Sequence, residues 1–364
     1  MGSSDIGGAQ RHLEWLVEGE MAIEFKVIVA CPPGQLLTRL RNAGNVVFPL
    51  RFGPLGWIRV SLLIRRIRPD IVHLHLIKSL AYSFPSILLN KKRHYVYTVH
   101  NQVLYPGMKL WKRTLFPLFM KSAAARMARI IAVSGDICTY LKDDLRISSE
   151  RIIKIDNGVK LPEPQQPSPS KEELRRRLGL PQDAWIIGTV GRLSSEKGQD
   201  ILIDAFSRIT QHYPSAICVI VGEGPLKKGL LQMAKYYGLM NKILLPGFQQ
   251  NPFAWLSAMD VVVFPSRSEG FPLTVIEAAS IGRPIIAAAV GGIRDIVLNN
   301  NTGFLVPPEN SQALYMAITK SITNYDRAKE LGERARALAL EKFGIDKCRS
   351  EVIQIYRTLI AQPL

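Results

Sequence analysis

The sequence predicts an α/β protein of two doubly wound parallel-sheet domains in tandem, and three observations point to it. Apolar runs bounded by glycine or turn residues alternate with helical stretches along the chain, as repeated strand-helix units feeding a parallel sheet do. That rhythm breaks once, at "KLPEPQQPSPSKEE" (160–173), which holds four prolines and almost no apolar side chains, and then resumes. The length of 364 residues exceeds what one hydrophobic core comfortably fills, while 47% apolar and 21% charged residues is ordinary globular composition.

The elements follow in order. Strands are expected at "FKVIVA" (25–30), "IVHLH" (71–75), "HYVYTVH" (94–100) and "RIIAVS" (129–134), giving a first domain over residues 1–159 and a linker over 160–180. After the linker come "WIIGTVG" (185–191), "AICVIVG" (216–222), "KILLPG" (242–247), "VVVFP" (261–265) and "PIIAA" (284–288), giving a second domain over 181–342. A closing helical segment covers 343–364.

Open parallel sheets bind ligands beyond the carboxyl ends of their strands, and the polar residues of this sequence gather there. "GTVGRLSSEKGQD" places Arg192 and Lys197 in a short loop between a strand and the amphipathic helix "DILIDAFSRI". A planar guanidinium fork and a compact ammonium suit a diphosphate, although two solvated loop charges would look the same. "VGEGPL" (221–226) is a further strand-end glycine pair, which a tight turn alone would also require. In "PSRSEGFPLTVIEAASIGRPIIAA" the chain turns through Ser266 to Gly270, and Pro272 opens a helix that Gly282-Arg283-Pro284 stops. Free N–H groups at that helix start can cradle a phosphate or a sugar hydroxyl. Glu269 stands in the loop and Glu277 in the helix; carboxylates only accept, so they suit the paired hydroxyls of a ribose or a sugar and would repel bare phosphate.

Charge is unevenly placed. Between Arg39 and Arg129 there are 17 Lys and Arg against the single acid Asp70, a net of +16 out of +17 for the whole chain. Such a stretch suits an anionic lipid surface or an acidic substrate, and the alternative is a solvated basic face. The segment 109–130 mixes these cations with Trp111, Leu115, Phe116, Leu118 and Phe119 as an interfacial helix does. Nucleic acid is not expected, because nothing resembles a groove-reading module. The four cysteines are scattered and no histidine stands at ligand spacing, so neither a zinc site nor a disulfide framework is expected. No signal peptide and no membrane-spanning run is visible, and a cytoplasmic location follows as the expectation.

Together these blocks, with "GGAQRH", "DIVHLH" (70–75), "YTVHN" (97–101), "IDNGV" (155–159) and "LPGF" (245–248), resemble the retaining nucleotide-sugar glycosyltransferases of family 4 (glycosyl transferases group 1), which have the GT-B fold of two Rossmann-like domains facing across a cleft. The resemblance runs over nearly the whole chain and includes the two-glutamate motif, Glu269 and Glu277, with seven residues between them. It implies a hexosyltransferase-type enzyme of polysaccharide or glycoconjugate biosynthesis that uses a UDP-sugar or other nucleotide-sugar donor. The implied acceptor is a saccharide, lipid-linked in the fuller reading, reached from a peripheral position at the inner membrane face. By position, Arg192 and Lys197 bind the donor diphosphate, Glu277 the ribose, and Glu269 the donor sugar. The backbone of Gly270, Phe271, Pro272, Leu273 and Thr274 faces sugar and phosphates, Gly247 and Phe248 lie beside the base, and Gly7 and Gly8 allow close approach to the diphosphate. His100 reaches the sugar from the first domain. His73, His75 and His94 read instead as structural histidines. The residues after 342 pack back toward the first domain.

The resemblance implies same-face transfer, with Glu269 as a covalent nucleophile the less favoured route. No D-x-D occurs, so the cations are expected to replace a metal and no cofactor is called for. Two departures stand out. Only "MGSSDI" precedes Gly7 where the family has an apolar strand, so the first sheet is expected to lack that strand unless it lies upstream. Gln10 replaces a glutamate common in relatives. A non-catalytic nucleotide-sugar-binding subunit and a GT-B-fold nucleotide-sugar epimerase are the alternatives.

Overall fold

The structure is a computed structural model that describes residues 7–89, 93–102, 110–161 and 169–361, excepting the side chains of 110–114. It divides into two compact units, Met1–Val159 with Ile345–Leu364, and Lys160–Gly344.

In the first unit the strands β1 (Ile28–Cys31), β2 (Val46–Pro49), β3 (Ile71–His75), β4 (His94–Val99), β5 (Arg129–Ala132) and β6 (Ile152–Lys154) are all parallel. Among the described residues they form two separate ladders, β1-β2 and β3-β4-β5-β6. Each ladder has its own small core: Val29, Cys31, Leu37 and Leu40 under the first, with Leu50, Val60 and Ile64 packed near the second ladder's Val72. β4 is buried from Tyr95 to Val99, with Thr98 the one polar side chain inside that run.

The C-terminal helix Ile345–Ile360 belongs to this unit. Arg349, buried, donates to the carbonyl of Trp15 at 2.8 Å, and Arg357 forks onto Glu24 at 2.8 and 2.6 Å. Tyr356 sets its hydroxyl 2.5 Å from His73 Nδ1 on β3 and its ring edge-on to Phe25.

The second unit is one six-stranded parallel sheet of β7 (Ile186–Val190), β8 (Ile217–Val221), β9 (Ile243–Gly247), β10 (Val261–Phe264), β11 (Ile285–Ala288) and β12 (Phe304–Val306), in the order β12-β11-β10-β7-β8-β9. The chain winds outward from β7 through β8 and β9, then returns to the other side of β7 as β10 and winds the opposite way. The strand order therefore reverses between β7 and β10, and the crevice beyond their carboxyl ends is the switch point where doubly wound sheets bind ligands. Pairing of Val262 with Gly188 brings those two strand ends together. Gly188 is needed there, since a Cβ would stand 2.6 Å from the Val219 carbonyl oxygen.

Within 160–180, read from its prolines as a linker, residues Lys171–Arg177 form a helix capped by Ser170, whose hydroxyl accepts from the Glu173 N–H. Its buried Arg175 explains why: the guanidinium donates to the carbonyls of Ala258, Gln182 and Ala184 and to Asp260 at 2.6 Å. Asp260 also accepts from Lys171 and from the Ile186 N–H at the start of β7. Part of that polar composition therefore serves a buried ion-pair network. Residues 162–168 lie outside the described part.

Removing one partner of a buried, hydrogen-bonded ion pair strands the other, so Asp260→Ala is expected to cost about 3–5 kcal/mol. Urea unfolding of the full chain checks this; a loss under about 1 kcal/mol would show that the network holds nothing together.

Candidate functional site

The loops after β7 and β10 diverge at the switch point and are tied to each other there. Gly198 sits at φ 65°, and a Cβ on it would lie 2.1 Å from the Pro265 carbonyl oxygen. The Arg267 N–H donates to the Glu196 carbonyl at 2.8 Å. The Arg267 guanidinium forks onto Asp200 at 2.9 and 2.7 Å, and donates to the Ser195 carbonyl and to Glu309. Hydrogen bonding to Asp200 raises the Arg267 pKa still further. Burial alone would raise the Asp200 carboxyl, but the hydrogen bond and charge of Arg267, with backbone N–H groups, bring it below its usual 3.8.

Within this frame the predicted residues take up distinct positions. Lys197 donates to both oxygens of Glu269, at 2.7 and 2.8 Å, and Ser266 donates to Glu269 Oε1 at 2.7 Å. Arg192 is exposed, and among the described residues its guanidinium makes no ion pair; its carbonyl accepts from Gln199, which braces the loop. Gly270, Phe271, Pro272 and Leu273 are buried, Thr274 is half-buried, and no side chain caps the helix Leu273–Ser280. Phe271 packs edge-on against Phe343. Glu277 is fully buried, so no face of its carboxylate opens to solvent in this conformation.

Neighbouring loops close the rim. Gly291, at φ 51°, would put a Cβ 1.8 Å from the Glu269 carbonyl oxygen, and the Gly292 N–H donates to the Gly270 carbonyl. The pair in "VGEGPL" is likewise required, since Cβ atoms on Gly222 and Gly224 would lie 1.9 and 2.2 Å from the carbonyl oxygens of Gly191 and Leu193. Gly247 stands at φ 80°, its carbonyl accepting from Gly222, and Phe248 beside it is 56% exposed.

The remaining candidates lie in the first unit. Gly7 and Gly8 are exposed at the start of the helix Gly8–Leu16, where Gln10 accepts from the Gly7 N–H at 3.2 Å, a capping role glutamine fills as well as glutamate. His100 follows β4 directly and is buried, with Nε2 3.1 Å from His75 Nδ1 at the end of β3. His12, from the Gly8–Leu16 helix, places its ring 5.2 Å from that of His100 and 6.0 Å from that of His75. Burial keeps all three neutral, taking His12 down to about 4 and the others well below 6.5. His73 has both ring nitrogens engaged, by Tyr356 and by Thr98.

Two features escaped the sequence reading. Arg267 and Asp200 went unremarked, because nothing local pairs an arginine in the loop after β10 with an aspartate in the first turn of the helix Gln199–His212. His12 converges with His75 and His100 from three segments, so no local spacing announces the group.

Residues 170–338 match the family Glycosyl transferases group 1, and residues 6–162 match Glycosyltransferase Family 4. The chain belongs to the family 4 glycosyltransferases. It is 33% identical over 218 residues to a D-inositol 3-phosphate glycosyltransferase of Xylanimonas cellulosilytica, covering 57% of this chain and 51% of the relative. It is 30% identical over 261 residues to the putative teichuronic acid biosynthesis glycosyltransferase TuaC of Bacillus subtilis, covering 70% and 62%. The chain spans about half the length of the first curated relatives it matches. Anabaena Alr3699/HepE, solved in complex with UDP, superimposes with a TM-score of 0.85 at 24% identity over 98% of both chains. That likeness establishes the GT-B fold of this family 4 chain.

Two predictions follow from the loop frame. Gly291→Ala forces a strained backbone and a clash with the Glu269 carbonyl, and is expected to cost about 1–3 kcal/mol or more; an unchanged melting temperature would refute the close approach. For the Arg267–Asp200 clamp, the carboxyl is lowered on folding, so its contribution is complete above about pH 4 and is lost as pH falls through the folded value. The stability gap between wild type and Arg267→Gln should therefore narrow in urea titrations taken from about pH 6 to about pH 3. A gap constant with pH would show that Asp200 is not its partner.

Proposed function

We propose that this chain is a retaining glycosyltransferase that moves a sugar from a nucleoside-diphosphate sugar, with UDP as the nucleotide, to a saccharide acceptor. The observation that carries the reading is the juxtaposition, at the switch point of the second unit, of the Lys197 ammonium, the Glu269 carboxylate and an uncapped helix start. Arg192 and Lys197 take the diphosphate. An ammonium has three donors, so Lys197 can hold Glu269 and a phosphate oxygen together. Glu269 then meets donor-sugar hydroxyls. Glu277 takes the ribose role that the family gives it, which requires its carboxylate to be uncovered as the nucleotide enters. His100 takes the donor-sugar role that the family gives it. The UDP complex of the Anabaena neighbour supports the choice of base.

In the transfer, the bond from the anomeric carbon to the diphosphate oxygen breaks and the acceptor oxygen bonds to that carbon on the same face. The acceptor proton passes to the departing phosphate. Negative charge grows on the diphosphate, and Lys197, Arg192 and the helix start are placed to stabilise it, typically by a few kcal/mol per donor. These cations stand in for a metal at the diphosphate.

The acceptor belongs to the first unit, and a lipid-linked acceptor at an anionic membrane surface is part of the proposal. It is supported by the helix Gly56–Ile67, which exposes Trp57 and Leu62 beside Arg59, Arg65 and Arg66, and by exposed Leu115 and Leu118 on the helix Leu110–Ala124. Trp111, named with them from the sequence, lies outside the described side chains. No helix among the described residues is long and apolar enough to cross a membrane.

The test is thermal unfolding with UDP, GDP or ADP in EDTA. At 100 times its dissociation constant a nucleotide stabilises by about 2.7 kcal/mol. UDP is expected to shift the melt, Glu277→Gln to reduce the shift and Lys197→Ala to remove it. No shift with any nucleotide, on a chain that melts cooperatively, sinks the donor site; binding of a UDP-sugar without transfer to lipid-linked acceptors sinks the lipid-linked part, and without transfer to any saccharide acceptor sinks the enzyme reading.

A further inference from the structure

We propose that His12, His75 and His100 form a binding site for a divalent first-row transition ion, with Zn2+ the best-matched occupant and a fourth position left open. One potential ligand nitrogen from each residue lies within 4.8 Å of the other two, and His75 Nδ1 and His100 Nε2 are already 3.1 Å apart. A tetrahedral ion with Zn–N bonds of about 2.0–2.1 Å holds its ligands about 3.4 Å apart. Binding requires the three nitrogens to close to that spacing.

Three further observations favour an ion over a hydrogen-bonded histidine cluster. His12 is 3% exposed, and its Nδ1 is buried without a hydrogen-bond partner, an arrangement that proteins rarely tolerate. The group is all imidazole, the ligand type that zinc, cobalt, nickel and copper prefer; magnesium, calcium and manganese favour oxygen, so this is not a displaced diphosphate metal. One of the three is also packed in place: the His73 ring lies 4.3 Å from that of His75 and is itself held by Tyr356 and Thr98, which limits how far His75 can swing.

On binding, whichever imidazole donates in the His75–His100 contact moves its proton to its other nitrogen, and both then face the ion as neutral donors. No oxidant or reductant is involved. The ion would occupy His100, so zinc is expected to slow sugar transfer; that consequence rests on the proposed function, while the binding itself does not.

The experiment is a titration of the EDTA-stripped full chain with Co2+, read by its visible absorption, followed by displacement with Zn2+. One equivalent of Co2+ is expected to give the intense spectrum of a tetrahedral site, and Zn2+ to abolish it. His12→Ala and His75→Ala should weaken Zn2+ binding at least tenfold, with melting curves in EDTA reporting whether each variant folds. His212, exposed and remote in sequence from the group, gives the control: His212→Ala should bind as wild type does. The weak spectrum of hydrated cobalt at one equivalent of wild type overturns the proposal whether or not the variants fold. So does a His212→Ala variant as impaired as His12→Ala.

Discussion

The second unit depends on carbonyl oxygens standing where side chains would otherwise begin. Gly198, Gly222, Gly224 and Gly291 each have a backbone oxygen within 2.2 Å of the position a Cβ would take. No rotamer relieves such a contact, because the clash is with the first side-chain atom and the obstacle is backbone. These approaches draw the loops after β7, β8, β10 and β11 onto one another, and ordinary hydrogen bonds then lock them. The position of Lys197 against Glu269 is a consequence of that packing, since each stands in a loop that a neighbouring carbonyl restrains. An ion pair between two long side chains in unrestrained loops would contribute little.

The carboxylates in this unit meet three different fates, and location decides each. Asp260 is buried with Arg175, Lys171 and a backbone N–H, so its charge is answered inside the fold. Asp200 is half-exposed and serves as the anchor for Arg267. Glu269 lies between Lys197 and Ser266 at the switch point, where the partner is a cation that a phosphate would also seek. A phosphate arriving beside Glu269 meets repulsion unless Lys197 and Arg192 outweigh it. A sugar hydroxyl meets none. On the proposed function, the same pair of side chains would separate the two ends of a nucleotide-sugar.

Much of this was legible in the sequence, and the reasons are physical. Apolar runs such as "ICVIV" and "VVVF" mark strands buried on both faces, which admit few other readings, and β8 and β10 formed where they stand. The glycine pair of "VGEGPL" was legible as a turn but not as a close approach, because the oxygens it makes room for come from Gly191 and Leu193, some thirty residues earlier. The helix Lys171–Arg177 was hidden by the prolines before it and by a composition that only makes sense once Asp260 is seen beside it.

The histidines show most clearly where sequence reasoning stops. His73 and His75 stand two apart on β3, so strand periodicity sends their side chains to the same face, and their rings lie 4.3 Å apart. The strand ends at His75, where the next residue, Leu76, adopts φ 68° and the chain turns into a helix. His100 follows the adjacent strand β4 and sets Nε2 3.1 Å from His75 Nδ1. What the strand pattern cannot announce is His12, which joins them from the helix Gly8–Leu16. Strand ends therefore do in the first unit what loop glycines do in the second. They let residues from distant segments meet, and it is there that the Lys197–Glu269 pair and the imidazole cluster are built.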